Sequence, residues 1–286
     1  MMRIVAGIDP LRAQVLSWRQ AGESVAFVPT MGNLHAGHYS LARMAAREAD
    51  RVVASIFVNP TQFGPAEDLA HYPRTPGQDA EGLHAHGCDL LFAPAVETVY
   101  PFGPDGCVRV HVPGLSDILC GEHRPGHFDG VATVVLRLLN MVQPDVAVFG
   151  NKDRQQLAVI AYLVRDLALP VRLVAGATVR EADGLAMSSR NRYLDAHLRR
   201  TAARLYQVLQ EMRAGVAAAA PLAGLEAQAC STLADAGFDV DYARILRQDL
   251  APAQPGQRSG LVGLVAARLG GTRLIDNLDL DPDPQA

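Results

Sequence analysis

Residues Ser24 to Asp50 restrict the fold more than any other stretch of the chain. Val25, Phe27 and Val28 form a short apolar run of the buried-strand kind, and Leu41, Met44, Ala45 and Ala49 recur at helical spacing. Between them lies the loop Pro29-Thr30-Met31-Gly32-Asn33-Leu34-His35-Ala36-Gly37-His38, and a second strand, Arg51 to Asn59, follows the helix at once. Strand, helix and strand in so short a span make a βαβ unit. Such units build parallel sheets, whose ligands sit in the crevice beyond the carboxyl ends of the strands.

The residue types of that loop suit an anion. Gly32 and Gly37 allow a sharp turn and a close backbone approach, and the first turn of the helix offers unpaired N–H groups at the positive end of its dipole. His35 and His38, three apart at the helix entry, add donors that can follow a phosphate as its charge shifts. Two other readings stay open on the residues alone. The histidines could simply cap the helix, or form a zinc pair, although no nearby Cys or His spacing completes a zinc set.

The rest of the chain extends the same architecture. Leu11, Val15 and Trp18 after Pro10 mark an opening helix, Cys88 to Phe92 a strand, Val108, Val110 and Val112 an alternating strand, and Val146, Val148 and Phe149 a further buried one. Asp79 is expected to open a helix ending near His84 and His86, which read as solvated. Asp129 is expected to cap a helix with an apolar stripe from Val131 to Val142, stopped by Pro144. Leu157, Ile160, Val164 and Leu167 should bury the helix after Gly150-Asn151-Lys152-Asp153, and Val171 to Val174 completes the parallel set. The fold class expected is α/β: a doubly wound, Rossmann-like parallel sheet over residues 1–178 with a smaller C-terminal α+β domain over 179–286. In that second domain, alanine-rich helical stretches precede alternating residues near Asp239 to Leu246. A hairpin through Gly270-Gly271 follows, and a frayed tail runs from Asp279 to Pro284.

Composition narrows the function. With 26 basic against 30 acidic residues the formal charge is −4, which gives no basic field for nucleic acid. No apolar run is long enough to span a bilayer, so a soluble chain is expected. Cys88, Cys107, Cys120 and Cys230 form no Cys-x-x-Cys pair and there is no secretory leader, which points to a reducing cytoplasm. A Walker phosphate loop and a dinucleotide glycine fingerprint are both missing, which disfavours kinase-type and NAD-dependent chemistry.

Three further segments carry polar side chains at strand ends or in loops. Gln62, in Asn59-Pro60-Thr61-Gln62-Phe63-Gly64, has both a donor and an acceptor for a hydroxy acid, or else belongs to an ordinary turn. Lys152 is a mobile point charge suited to a polyphosphate, Asp153 favours a helix start, and Gln155 and Gln156 lie in the first turn. Ser188 and Ser189 beside Arg190 suit phosphate oxygens, within a stretch from Val179 to Asn191 that reads as an exposed loop.

Taken in order, these blocks resemble one family. The loop from Thr30 to His38, Asn59 to Phe63, Tyr72-Pro73-Arg74-Thr75, Arg124-Pro125-Gly126-His127-Phe128, Gly150 to Asp153 and Met187 to Arg190 are similar to those of the pantoate–β-alanine ligases. These ligases belong to the nucleotidylyl-transferring superfamily with a His-x-Gly-His loop. The resemblance runs from Val28 to Asn277. It implies ATP-dependent condensation of pantoate with β-alanine through a pantoyl adenylate, in a homodimer, with Mg2+ on the phosphates and no assigned protein ligand. It implies catalytic roles for His35, His38, Lys152, Ser188, Ser189 and Arg190. ATP would also meet Met31, Gly32, Asn33, Leu34, Ala36, Gly37, Gly150, Asn151, Asp153, Val179 and Met187. Pantoate would fall to Gln62 and Gln156. The family usually has Glu where this chain has Asn151, and an aromatic at Arg154. The rivals are a nucleotidyltransferase acting on another small acceptor and a nucleotide-binding module without turnover.

Overall fold

The computed structural model describes residues 2–65 and 67–281. By its contacts the chain divides into two units, Met1–Asn151 with Gln155–Ala177, and Lys152–Arg154 with Thr178–Ala286.

The first unit is a parallel sheet in the order β1-β4-β3-β2-β5-β6, with β1 Arg3–Val5, β2 Val25–Thr30, β3 Arg51–Ile56, β4 Leu90–Phe92, β5 Val146–Gly150 and β6 Arg172–Gly176. Its helices are α1 Ile8–Gln20, α2 Ala36–Glu48, α3 Pro76–Ala85, the single turns α4 Val96–Val99 and α5 Cys120–His123, α6 His127–Val142, and α7 from Arg154 to Asp166. Ala26 and Val28 of β2, Val52 and Ala54 of β3 and Val146 and Val148 of β5 pack against Leu41, Ala42 and Ala45 of α2. The alternate residues Val25, Phe27 and Val53 are buried as well, and α1 and α6 pack on each other and on β2. Strands covered on both faces read as near-continuous apolar runs, which is why the sheet is visible in the sequence. The order reverses at β2, with β3 on one side and β5 on the other, so the carboxyl ends of β2 and β5 flank a topological switch point.

Several local expectations are corrected. β1 carries no periodic signal in three residues, yet it adds an edge beside β4. Val108, Val110 and Val112 do not form a strand: Val108 is 79% exposed, and the Val110 amide donates to the Thr133 hydroxyl instead of to a neighbouring strand. Asp129 does not cap α6, which starts two residues earlier behind a left-handed Gly126; it lies in the first turn and pairs with His111. The buried stripe of α7 is Gln155, Val159, Ile160 and Leu163, so Leu157 and Val164 are only half-buried and Leu167 is exposed. His84 is exposed as expected, whereas His86 is half-buried. Its ring stacks on Tyr39 with centroids 4.6 Å apart.

The second unit sets α8 Ala196–Ala202, α9 Arg204–Ala217 and α10 Leu222–Asp235 with the antiparallel sheet β7 Asp239–Arg247, β8 Leu261–Leu269 and β9 Thr272–Asp279. Its core joins Leu205, Leu209 and Met212 of α9, Leu225 and Leu233 of α10, and Ile245, Leu261, Val265 and Leu274 of the sheet. The β8–β9 hairpin turns through Gly270 and Gly271, both at positive φ (54° and 82°), which glycine adopts without steric cost. The expected fraying fails for residues 279–281. Asp279 ends β9, Leu280 is fully buried, and the Asp281 carboxylate accepts from the Gly260 amide at 2.7 Å. Pro282, Asp283 and Pro284 lie outside the described residues. Leu185 and Ala186 are buried too, so the 179–191 stretch is not uniformly exposed.

Candidate active site

In the first unit the loop after β2 is built by its own side chains. His35 is the N-cap of α2, and its Nδ1 accepts from the Gly37 amide at 3.2 Å; the His38 Nδ1 accepts from the His35 amide at 3.3 Å. This is a capping box made of two histidines, with ring centroids 4.1 Å apart. Because each Nδ1 is an acceptor, each neutral ring carries its proton on Nε2. Capping and catalysis are therefore compatible: one nitrogen of each ring holds the helix start, and the other is a donor.

The loop is anchored from α3. Asp79 is 1% exposed, and its two carboxylate oxygens accept from the amides of Asn33 and Leu34, each at 2.8 Å, with the Thr75 hydroxyl donating at 3.0 Å to the oxygen that also receives Leu34. Gly32 (φ 83°) and Asn33 (φ 51°) turn left-handed to present those amides, and a Cβ on Gly32 would meet an Asp79 oxygen at 3.2 Å. The expectation that Asp79 opens α3 is corrected here. The helix begins at Pro76, which leaves the carboxylate in the first turn to face the loop.

Gln62 sits in a short 3-10 turn, Pro60–Gln62, at the carboxyl end of β3. Its Oε1 accepts from Asn59 Nδ2 at 3.0 Å, and its Nε2 lies 3.1 Å from Met31 Sδ, so the structure brings Gln62 and the histidine loop together. Asn59, 1% exposed, also receives the Tyr100 hydroxyl at 2.7 Å. The turn lies directly on α6: a Cβ at Gly130 would clash with Thr61 O and come within 2.7 Å of Gln62 N. His127 and Arg124 meet the Gln62 carbonyl at 2.8 and 3.4 Å, and Arg124 is pinned by a two-pronged pair with Glu67 at 2.6 Å. Burial pushes the Glu67 carboxyl up, but Arg124's hydrogen bonds and charge outweigh it and hold the group below its ordinary value.

The two glutamines of α7 separate cleanly. Gln155 is 4% exposed and fully engaged, donating to Leu115 O and Ile118 O and accepting from the Cys120 amide. It shapes the 115–120 segment, whereas Gln156 is only half-buried. Gly150 ends β5, and Asn151 opens the 3-10 turn that follows.

In the second unit Lys152 and Arg154 meet β9. Lys152 Nζ is 3.7 Å from Asp153, and the Lys152 carbonyl accepts from Asn277 Nδ2 at 2.8 Å. Arg154 reaches Asp279 at 3.5 Å and Gln248 O at 3.3 Å, so the departure at this position has its own ion pair. Arg180 makes a two-pronged pair with buried Asp276 at 2.6 and 3.0 Å and stacks 3.9 Å from the Tyr206 ring centroid. Val179 O accepts from the Met187 amide at 3.0 Å. Ser188 caps the turn Ser189–Tyr193 by accepting from the Arg190 amide at 3.3 Å. Ser188, Ser189 and Arg190 are all half-buried. Among the described residues no three His, Cys, Asp or Glu side chains gather so as to hold a metal ion.

Set against known proteins, residues 3–279 match the profile of one family, described as pantoate-beta-alanine ligase. The chain belongs to that family. A pantothenate synthetase of Xanthomonas oryzae pv. oryzae is 56% identical over 279 residues, covering 98% of this chain and all of that one. The crystal structure of the pantothenate synthetase of Thermus thermophilus superposes with a TM-score of 0.91 at 46% identity, covering 98% of this chain and 100% of the other. A Francisella tularensis pantoate-beta-alanine ligase complexed with beta-gamma ATP and beta-alanine gives a TM-score of 0.83 at 33% identity, over 99% and 100% of the chains. Membership of a pantoate–β-alanine ligase family accounts for the order of the motifs. The parts played by Asp79, Asn59, Gly130, Arg180 and Asp276 escape a reading of the sequence because each acts on main chain or on another side chain, which leaves no local signature.

Proposed function

We propose that this chain condenses pantoate with β-alanine at the expense of ATP, forming pantothenate, AMP and pyrophosphate. The observation that carries the reading is the adjacency of Gln62 and the His35–His38 loop, in a chain of this family. A carboxylate oxygen of pantoate attacks the α-phosphorus of ATP; the bond to the β-phosphate breaks and pyrophosphate leaves. The neutral amine of β-alanine then attacks the acyl carbon of the mixed anhydride, the bond to AMP breaks, and the amine gives up a proton as the amide forms.

Each residue has a physical reason for its part. The first step is a matter of alignment and charge stabilisation, so no protein nucleophile is needed. To the Nε2 donors of His35 and His38, and to Lys152, Ser188, Ser189 and Arg190, we assign the stabilisation of charge developing on the phosphates. By the family's motifs we assign Met31 to His38, Gly150 to Asp153, Val179 and Met187 to Arg190 to the nucleotide. Gln62 and Gln156 hold pantoate, for which the Gln62 amide exchanges the weak thioether acceptor of Met31 for an oxygen. Magnesium enters on the triphosphate oxygens as part of the substrate. We place the enzyme in the cytoplasm as a homodimer; its cysteines are free thiols, and no helix among the described residues is long and apolar enough to cross a membrane.

A nucleotidyltransferase that stops at an adenylylated product is not favoured, since Gln62 beside the loop serves an acid acceptor. One experiment separates the two. With ATP, magnesium and pantoate but no amine, pyrophosphate should appear to about one equivalent per site, and β-alanine should then release AMP and start multiple turnover. Steady turnover that retains AMP in the product and ignores β-alanine would defeat the ligase reading.

A further inference from the structure

Lys152 lies in a single 3-10 turn, Asn151–Asp153, too short to fix its own main chain. What fixes it comes from β9. Asn277 is 4% exposed and spends its Nδ2 on the Lys152 carbonyl at 2.8 Å. Asn277 is in turn held at both ends of its backbone: its amide donates to Asp276 Oδ1 at 2.8 Å, and its carbonyl accepts from Arg180 Nη2 at 3.1 Å.

The Arg180 guanidinium is the centre of this arrangement. Besides its two bonds to Asp276 it donates to Gly184 O at 3.0 Å, and it lies against the face of Tyr206. Gly184 has φ +90°, and a Cβ there would clash with the Tyr206 ring, so the turn that carries the chain toward Ser188 is seated on the same frame. A buried ion pair contributes little net stability, since desolvation offsets the attraction; its best-attested use is to fix register. Here it fixes two segments, the Lys152 turn and the Arg180–Gly184 turn, relative to one strand.

We infer that Asn277 is a positioning residue for adenylate formation, acting through Lys152, with the Arg180–Asp276 pair as its support. The inference rests on the proposed nucleotide role of Lys152, and it adds that the lysine's placement is set from β9. The geometry decides the size of the effect: a displacement of about 1 Å in a group that must meet a reacting phosphate can cost on the order of 100-fold.

The test is a double-mutant comparison on the full chain, reading kcat/KM for ATP in pantoate-dependent pyrophosphate release, with thermal unfolding measured beside it. Lys152→Ala alone tests the underlying assignment; if it leaves ATP use unchanged, the site reading fails and the inference with it. Given an impaired Lys152→Ala, Asn277→Ala should lower kcat/KM for ATP by about 10- to 100-fold in the wild-type background and by less than about twofold in the Lys152→Ala background. An equal factor in both backgrounds would mean a general structural role and would overturn the inference, as would unchanged ATP dependence in Asn277→Ala. Asn277→Ser keeps a polar group but is too short to reach the Lys152 carbonyl. It should repeat the alanine pattern and serves in its place if the alanine chain melts below the assay temperature.

Discussion

Replacing Asp79 with alanine would remove the acceptor for two main-chain amides of the histidine loop at once. Those of Asn33 and Leu34 each lie 2.8 Å from a carboxylate oxygen of a side chain only 1% exposed, so water does not simply take its place. A buried donor left without an acceptor costs about 1–3 kcal/mol, so two cost about 2–6 kcal/mol if the loop stays where it is. Against a total stability of about 5–15 kcal/mol, the loop will partly detach. Detachment moves His35 and His38, because their capping bonds begin one residue after Leu34. Asp79→Ala should therefore lose about 2 kcal/mol or more in urea unfolding and slow single-turnover pyrophosphate release by about 100-fold or more. Asp79→Asn keeps one acceptor oxygen but turns an NH2 toward the other amide, and should fall between wild type and alanine on both measures. An alanine variant with wild-type unfolding and wild-type adenylate formation would refute the reasoning.

Two other perturbations follow from the same geometry. Gly130→Ala must push the Pro60–Gln62 turn away from α6, since the new methyl clashes with Thr61 O; KM for pantoate should rise about 10-fold while ATP binding holds, and an unchanged pantoate KM in steady-state assays would count against Gln62. Glu67 is held below its ordinary value of 4.5, so its pair with Arg124 contributes fully above that pH and is lost as pH falls through the lowered folded value. Glu67→Gln should accordingly be less stable than wild type at pH 7, with the gap in thermal unfolding closing as pH falls below the ordinary carboxylate range and through the lowered folded value; a constant gap would remove the linkage.

The parts of this molecule that are legible in the sequence share one property, a periodic or local signal. Val25 to Val28, Val146 to Phe149 and the stripe of α6 are apolar runs dictated by burial on a covered sheet. Gly270-Gly271 announces its hairpin because only glycine takes two successive left-handed residues cheaply. The histidines stand out by type and spacing, although sequence alone sets capping and catalysis as rivals when the Nδ1 bonds let both hold. What stays hidden acts at a distance. Val108 to Val112 alternates like a strand, but among the described residues no strand pairs with it, and the amide of Val110 donates to Thr133 instead. Asp79 lies 46 positions from Asn33, and Arg180 lies 96 from Asp276; each pair is joined by folding and by nothing in the local pattern.

The sequence invites a cut near residue 178, yet Lys152 and Arg154 take partners from Gln248, Asn277 and Asp279. A gene fragment ending there would carry the lysine but none of the groups that hold its main chain. The complementary fragment would keep an Asn277 amide and an Asp279 carboxylate with nothing to grip. Halves expressed apart should each fold around their own apolar core and still be inert. Activity recovered on mixing would report whether these two residues can be re-seated once the peptide bond is gone.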